Sequence, residues 1–222
     1  MDSIKEPISA IYIGIVVAEF LSKTGPVLQA IEIYKECLII LNSQGQAIDN
    51  SLANVTFRVI YMKIISAYVY IKDYTSTEKY LRKLLLYIDS NDPIEEGWLH
   101  LNLADILHAQ SKFTEASEFY ESAIKVMKMM GNTHGQALCY AKLGVMFQSL
   151  GQYYKAREYQ EKALAIKKEI GGRDEEAAIY GNLGTVFHSL GQYNKAQEYQ
   201  EKALAIKTEV GVRDGEATAT KT

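Results

Sequence analysis

Forty residues after Ala141 the chain begins to repeat itself. Of the 40 residues from Ala141 onward, 26 match those from Gly181 onward. A fixed period of this length limits the choice of fold, because such a unit cannot bury its apolar face alone and must stack on its neighbours. The frame extends backwards with decreasing fidelity. Leu183-Gly184 and Leu143-Gly144 correspond to Leu103-Ala104, Ile64-Ile65 and Val17-Ala18. The turn Gly191-Gln192-Tyr193 corresponds to Gly151-Gln152-Tyr153, Ser111-Lys112-Phe113, Lys72-Asp73-Tyr74 and Gly25-Pro26-Val27. Small residues follow at Ala196, Ala156, Ala116, Thr77 and Ala30, and two turns further on come Ala203, Ala163, Ala123, Leu84 and Cys37. Five units result, over 1–48, 49–91, 92–132, 133–172 and 173–212, with 213–222 reading as the start of a truncated sixth.

Each unit reads as two helices. Tyr140, Leu143, Gly144, Phe147 and Leu150 recur at three-to-four spacing, and so do Tyr153, Ala156, Tyr159, Ala163, Leu164 and Ile166. Between units, Gly45, Gly131, Gly171 and Gly211 are expected to close helices in the left-handed conformation. Thr133-His134-Gly135-Gln136 has capping-box spacing, and Asp92-Pro93-Ile94-Glu95 offers an N-cap followed by a first-turn proline. Pro7, Pro26 and Pro93 are all expected at first turns. The small residues let helices approach, and Phe147, Tyr153 and Phe187 fill the space between layers. Glycine inside a helix costs about 1 kcal/mol, so Gly144 and Gly184 imply close packing.

Composition narrows the function classes. Apolar residues make up 48% of the chain, enough for a core. A net charge of −3 argues against a nucleic-acid partner, which needs a basic face, and leaves no polybasic membrane patch. Cys37 and Cys139 are too few for a disulfide framework and sit among apolar neighbours, so packed, reduced thiols are expected. The apolar run Ile8 to Phe20 is short of the roughly 20 residues that span a bilayer, and Glu19 interrupts it. Asp2 and Glu6 are unlike the basic start of a signal peptide.

These residues resemble the tetratricopeptide repeat, in which Leu-Gly, an aromatic, a Gly-x-Tyr turn and two alanines hold fixed places. The likeness is strong over Gly135 to Gly211, moderate over Ile94 to Met130 and weak before that. The period is 40 rather than 34, similar to repeats of kinesin light chains and of Leu-Gly-Asn-type spindle-orientation adaptors. Gln160 and Gln200 depart from the pattern, since the family often has an aromatic there. The resemblance implies an all-α solenoid of about five helix-turn-helix repeats in a right-handed superhelix, with first helices lining an inner groove that holds a peptide or partner helix. By correspondence the groove would present Lys63, Ser66, Asn102, Asp105, Lys142, Val145, Asn182, Thr185 and His188. Trp98 falls on the same face, either as a stacking anchor or as a packing residue. A chaperone-tail clamp is not implied, because Met62, Ser66 and Leu138 stand where its polar and basic residues should be and only Asn102 and Lys142 fit.

The first two units differ in texture. Tyr12, Ile15, Val16, Val59, Met62 and Val69 bring apolar side chains to faces expected to be polar, forming a docking surface or a face covered by a neighbouring segment. A β-rich fold of these runs is the local-propensity alternative. No phosphate loop, zinc-helix pair or nucleophile elbow occurs, and the histidines do not cluster, so no enzyme activity, metal or cofactor is expected. Glu158–Lys162 and Glu198–Lys202 read as solvated i,i+4 pairs. Leu204 and Ile206 are expected to present an uncovered apolar strip at the end of the array, open to self-association. The expectation is a cytoplasmic, non-catalytic interaction scaffold with a protein or peptide partner. The alternative is an oligomerising spacer of a larger signalling or adaptor protein.

Overall fold

The computed structural model describes residues 2–43, 50–88 and 93–219, with 2–6 and 212–219 described by backbone alone. Among the described residues there are ten helices and no strands. They are α1 (Asp2–Thr24), α2 (Val27–Ser43), α3 (Asn50–Tyr70), α4 (Tyr74–Leu85), α5 (Pro93–Ala109), α6 (Phe113–Met129), α7 (Thr133–Ser149), α8 (Tyr153–Ile170), α9 (Arg173–Ser189) and α10 (Tyr193–Ala219). The first two units are therefore helical throughout their described residues. Burial of one face of α1 to α4 outweighs the β preference of their Ile, Val and Tyr.

The chain divides into two compact units, Met1–Gln110 with α1 to α5 and Ser111–Thr222 with α6 to α10. Within each, every helix packs on the next in sequence. The seam is built where the period places small residues. Ala30, Thr77, Ala116 and Ala156 are fully enclosed, as are Ala123 and Ala163 two turns later, and Cys37 is nearly so. Both cysteines are buried and neither is in a disulfide.

The turns inside helix pairs share one geometry. Gly25, Lys72, Ser111, Gly151 and Gly191 all have positive φ. At Gly151 the next amide, of Gln152, donates to Phe147 O at 2.9 Å and the Gly151 amide donates to Gln148 O at 2.9 Å. Gly191 and Lys72 repeat this pattern, which satisfies carbonyls the helix end would otherwise leave open. Lys72 and Ser111 adopt it at φ 60° and 61° with a Cβ in place. Replacing either with glycine is expected to raise stability by about 1 kcal/mol, read as a higher urea midpoint. No gain at either position would show that the left-handed turn is not strained.

Gly131 and Gly171 close α6 and α8 in the left-handed region as expected, while Gly45 lies outside the described residues. Three local expectations are corrected. α10 runs through Gly211 to Ala219 without a break, and among the described residues no later helix packs on it to reward a turn. Pro7 lies in the second turn of α1, not the first. The cap of α7 is Asn132, whose Oδ1 accepts from the Gly135 amide at 2.9 Å, so Thr133 is already helical. Asp92 lies outside the described residues, and α5 begins at Pro93.

Two stretches, Pro7–Thr24 and Asn50–Tyr70, are long and apolar enough to cross a membrane by length and composition. Both are packed helices here. One face of α1 closes on α2, with Ala18 fully buried and the Cys37 Sγ against Gly14. Glu19 joins Lys23 and Lys63, each at 3.1 Å, and those hydrogen bonds hold its carboxyl below the usual range.

Candidate partner-binding surface

The first unit holds the more developed site. A cleft of about 480 Å³ lies among α3, α4 and α5. Met62, Ile65 and Val69 of α3 form one wall, Leu99 and Ile106 of α5 the other, and Leu81 and Leu84 of α4 line it as well. Of the expected groove residues, Ser66, Asn102 and Asp105 line it too. The Asn102 amide is exposed, so its two donors and one acceptor are available to an incoming backbone. Ser66 Oγ donates back to Met62 O at 2.9 Å, which leaves it an acceptor outward. A second, smaller cleft of about 240 Å³ beside Glu19, Tyr34 and Tyr70 contains Lys63 and shares Ser66. Lys63 is committed there to the Glu19 carboxylate. Trp98 is half-buried on α5 and does not line either cleft.

The apolar faces flagged in the first units are exposed. Tyr12, Val16, Val59, Met62 and Val69 are open to solvent, while Ile15 is half-buried. Met62 and Val69 belong to the cleft wall. The cleft-lining residues missed from sequence are Ile65, Thr77, Leu81, Leu84, Leu99 and Ile106, and Leu81 and Leu84 have the spacing and burial of ordinary core residues. Only the placement of α3 and α5 on either side brings them to the cleft floor.

In the second unit the expected residues form a different surface. Lys142 and Val145 lie partly exposed on α7, and Asn182, Thr185 and His188 lie on the open side of α9. Thr185 Oγ1 donates to Gly181 O at 3.1 Å, and the His188 ring meets Tyr193 edge-on at 5.2 Å.

The structure explains the two glutamines that depart from the repeat pattern. Gln160 Nε2 donates to Ala141 O at 3.0 Å, and Gln200 Nε2 to Gly181 O at 3.2 Å. Each lies across the glycine of the facing helix, Gly144 or Gly184, where a Cβ would stand 2.6 Å from the amide nitrogen. Glycine and glutamine are thus one feature: the missing Cβ makes room for the amide.

The repeated lysines do more than face water. Phe147 stacks on Tyr159 at 5.3 Å, with Lys155 over Phe147 at 5.1 Å and Lys162 over Tyr159 at 4.9 Å. Phe187, Tyr199, Lys195 and Lys202 repeat the arrangement. Lys162 and Lys202 also hold Glu158 and Glu198 at 2.6 and 2.5 Å. Among the described residues, no group of three or more His, Cys, Asp or Glu could hold a metal ion.

Sequence comparison gives matches to the tetratricopeptide repeat over residues 135–209 and 99–126. Those two stretches are tetratricopeptide repeats. No match was found among curated protein sequences. Solved structures similar to this repeat protein share its fold. BtubC (BKLC) from P. vanneervenii is 20% identical with a TM-score of 0.75, over 95% of this chain and 89% of that one. Nearly identical repeats from a putative kinesin light chain of Podosopora anserina are 18% identical with a TM-score of 0.66, over 90% and 96%. Aspartyl phosphate phosphatase F from Bacillus subtilis is 17% identical with a TM-score of 0.78, over 94% of this chain. This repeat protein spans about half of that enzyme, 53%.

Proposed function

We propose that the chain is a non-catalytic interaction scaffold that takes an extended peptide or partner helix in the cleft of its first unit. The observation that carries this is an aliphatic cleft with the Asn102 amide and the Asp105 carboxylate among its lining residues. The aliphatic walls would hold one or two apolar anchors, and Asn102 would hydrogen-bond the ligand backbone. Lys142, Val145, Asn182, Thr185 and His188 would give the second unit a binding surface of its own, and Lys63 and Trp98 flank the cleft of the first. The likeness to kinesin light chain repeats supports an adaptor role, and a cytoplasmic place fits buried cysteines outside any disulfide. The test is selection from a random peptide library displayed on phage, using the intact chain as bait. A motif with aliphatic anchors is expected, with at least tenfold weaker binding to Met62→Glu and Asn102→Ala. Selected peptides that bind both variants as tightly as the parent would refute the cleft.

A second role, as an oligomerising segment of a larger signalling or adaptor protein, is favoured by one feature. Leu204 on α10 is largely exposed, whereas Ile206, expected beside it, is buried.

A further inference from the structure

The segments Glu158–Lys167 of α8 and Glu198–Lys207 of α10 are identical in all ten residues, so they compare one face in two environments. In α8, Gln160, Leu164 and Lys167 are buried, and Leu164 clusters with Ile179 and Leu183 of α9. In α10, Gln200, Leu204 and Lys207 are exposed. Leucine exposure rises from 8% at Leu164 to 66% at Leu204. Nothing in the local sequence differs, so the change is the absence of a covering helix. The molecule also shows what kind of helix covers such a face: one with an aliphatic stripe like Ile179 and Leu183 of α9, with Val186 buried one turn further on.

That stripe stands open at the other end of the chain. The repeat frame pairs Leu183 with Val17, and hence Ile179 with Ile13 and Val186 with Phe20. Ile179, Leu183 and Val186 are 3%, 0% and 0% exposed, while Ile13, Val17 and Phe20 are 64%, 43% and 65% exposed. The opposite side of α1, with Ile11 and Ala18, is closed against α2 as the corresponding side of α9 is closed against α10. So among the described residues no helix covers the α1 stripe, and none covers the matching face of α10.

We propose that the occupant of the α10 face is the α1 stripe of a second copy of this chain, stacked head to tail. This rests on the oligomerising role above and names its partner. The contact would bury Ile13, Val17 and Phe20 against Leu204 and the aliphatic stem of Lys207, as α9 meets α8. Because the two patches differ, the pairing is heterologous, and each dimer keeps one open head and one open tail.

The test is sedimentation velocity of the intact chain over a wide concentration range, with Ile13→Glu and Leu204→Glu, both at exposed positions and checked for helical content. The parent is expected to gain average mass with concentration and each variant alone to stay monomeric. An equimolar mixture of the two variants should double in mass and stop there, since each retains one intact face. A mixture that fails to pair, or variants that still self-associate, would overturn the proposal. Association abolished by Leu204→Glu yet untouched by Ile13→Glu would keep the oligomerising role and overturn this partner. A parent chain monomeric at every concentration would overturn both.

Discussion

Gly144→Ala is expected to lower stability by about 2–3 kcal/mol, and Gly184→Ala by less than about 1 kcal/mol, although the two glycines occupy the same place in successive repeats. In both, the added methyl would stand 2.6 Å from a glutamine amide nitrogen. The difference lies in where the glutamine can go. Gln160 is fully enclosed and donates to Ala141 O, so displacing it opens a buried hydrogen bond and forces repacking between α7 and α8. Gln200 lies on the uncovered face of α10 and can swing into water, while alanine offsets the loss through its higher helix propensity. Urea unfolding of the two variants measures the gap. Equal losses would mean that the glutamine does not set the cost.

Lys167 provides the second large effect. Its side chain is 2% exposed, and its Nζ lies 3.0 Å from His134 Nδ1 and 3.3 Å from Glu175 Oε1. Lys167→Ala is expected to lower stability by about 2–4 kcal/mol, because it empties the volume of a long buried stem. Lys167→Met should stay within about 1 kcal/mol of the parent or exceed it, since replacing a buried charge by an apolar side chain of similar volume is often neutral or stabilising. The molecule contains its own precedent. Met127 occupies the equivalent place in α6, fully buried, with its Sδ above Gly135 where Lys167 instead reaches Glu175. A methionine variant as unstable as the alanine variant would show that the amine's hydrogen bonds, not the stem's packing, hold the site together.

Much of the fold was legible because the repeat states it several times. Turn positions could be read even where no glycine marks them: Lys72 and Ser111 take the left-handed conformation their places in the frame require. The buried small residues were legible for the same reason. Helix ends were less so. Gly211 resembles Gly171 in sequence, yet only Gly171 turns, because α9 packs on α8 while no described helix packs beyond α10. The cap of α7 shifted by one residue because Asn132 can accept from an amide three residues on as readily as Thr133 could.

The candidate site was legible only in part. Ser66, Asn102 and Asp105 could be named from their places in the frame, but the cleft around them could not. Its lining residues Leu81 and Leu84 have the spacing and burial of core residues, and they meet the cleft only through the tertiary placement of α3 and α5 on either side of it. The sequence by itself determined the period, the helix pairs, the turns and the seam of small residues, because these depend on local conformation and on side-chain size at fixed spacing. Only the tertiary structure decided which faces are closed and which are open. Glu158–Lys167 and Glu198–Lys207 are the same ten residues, and packing against a neighbour buries one copy while its absence exposes the other.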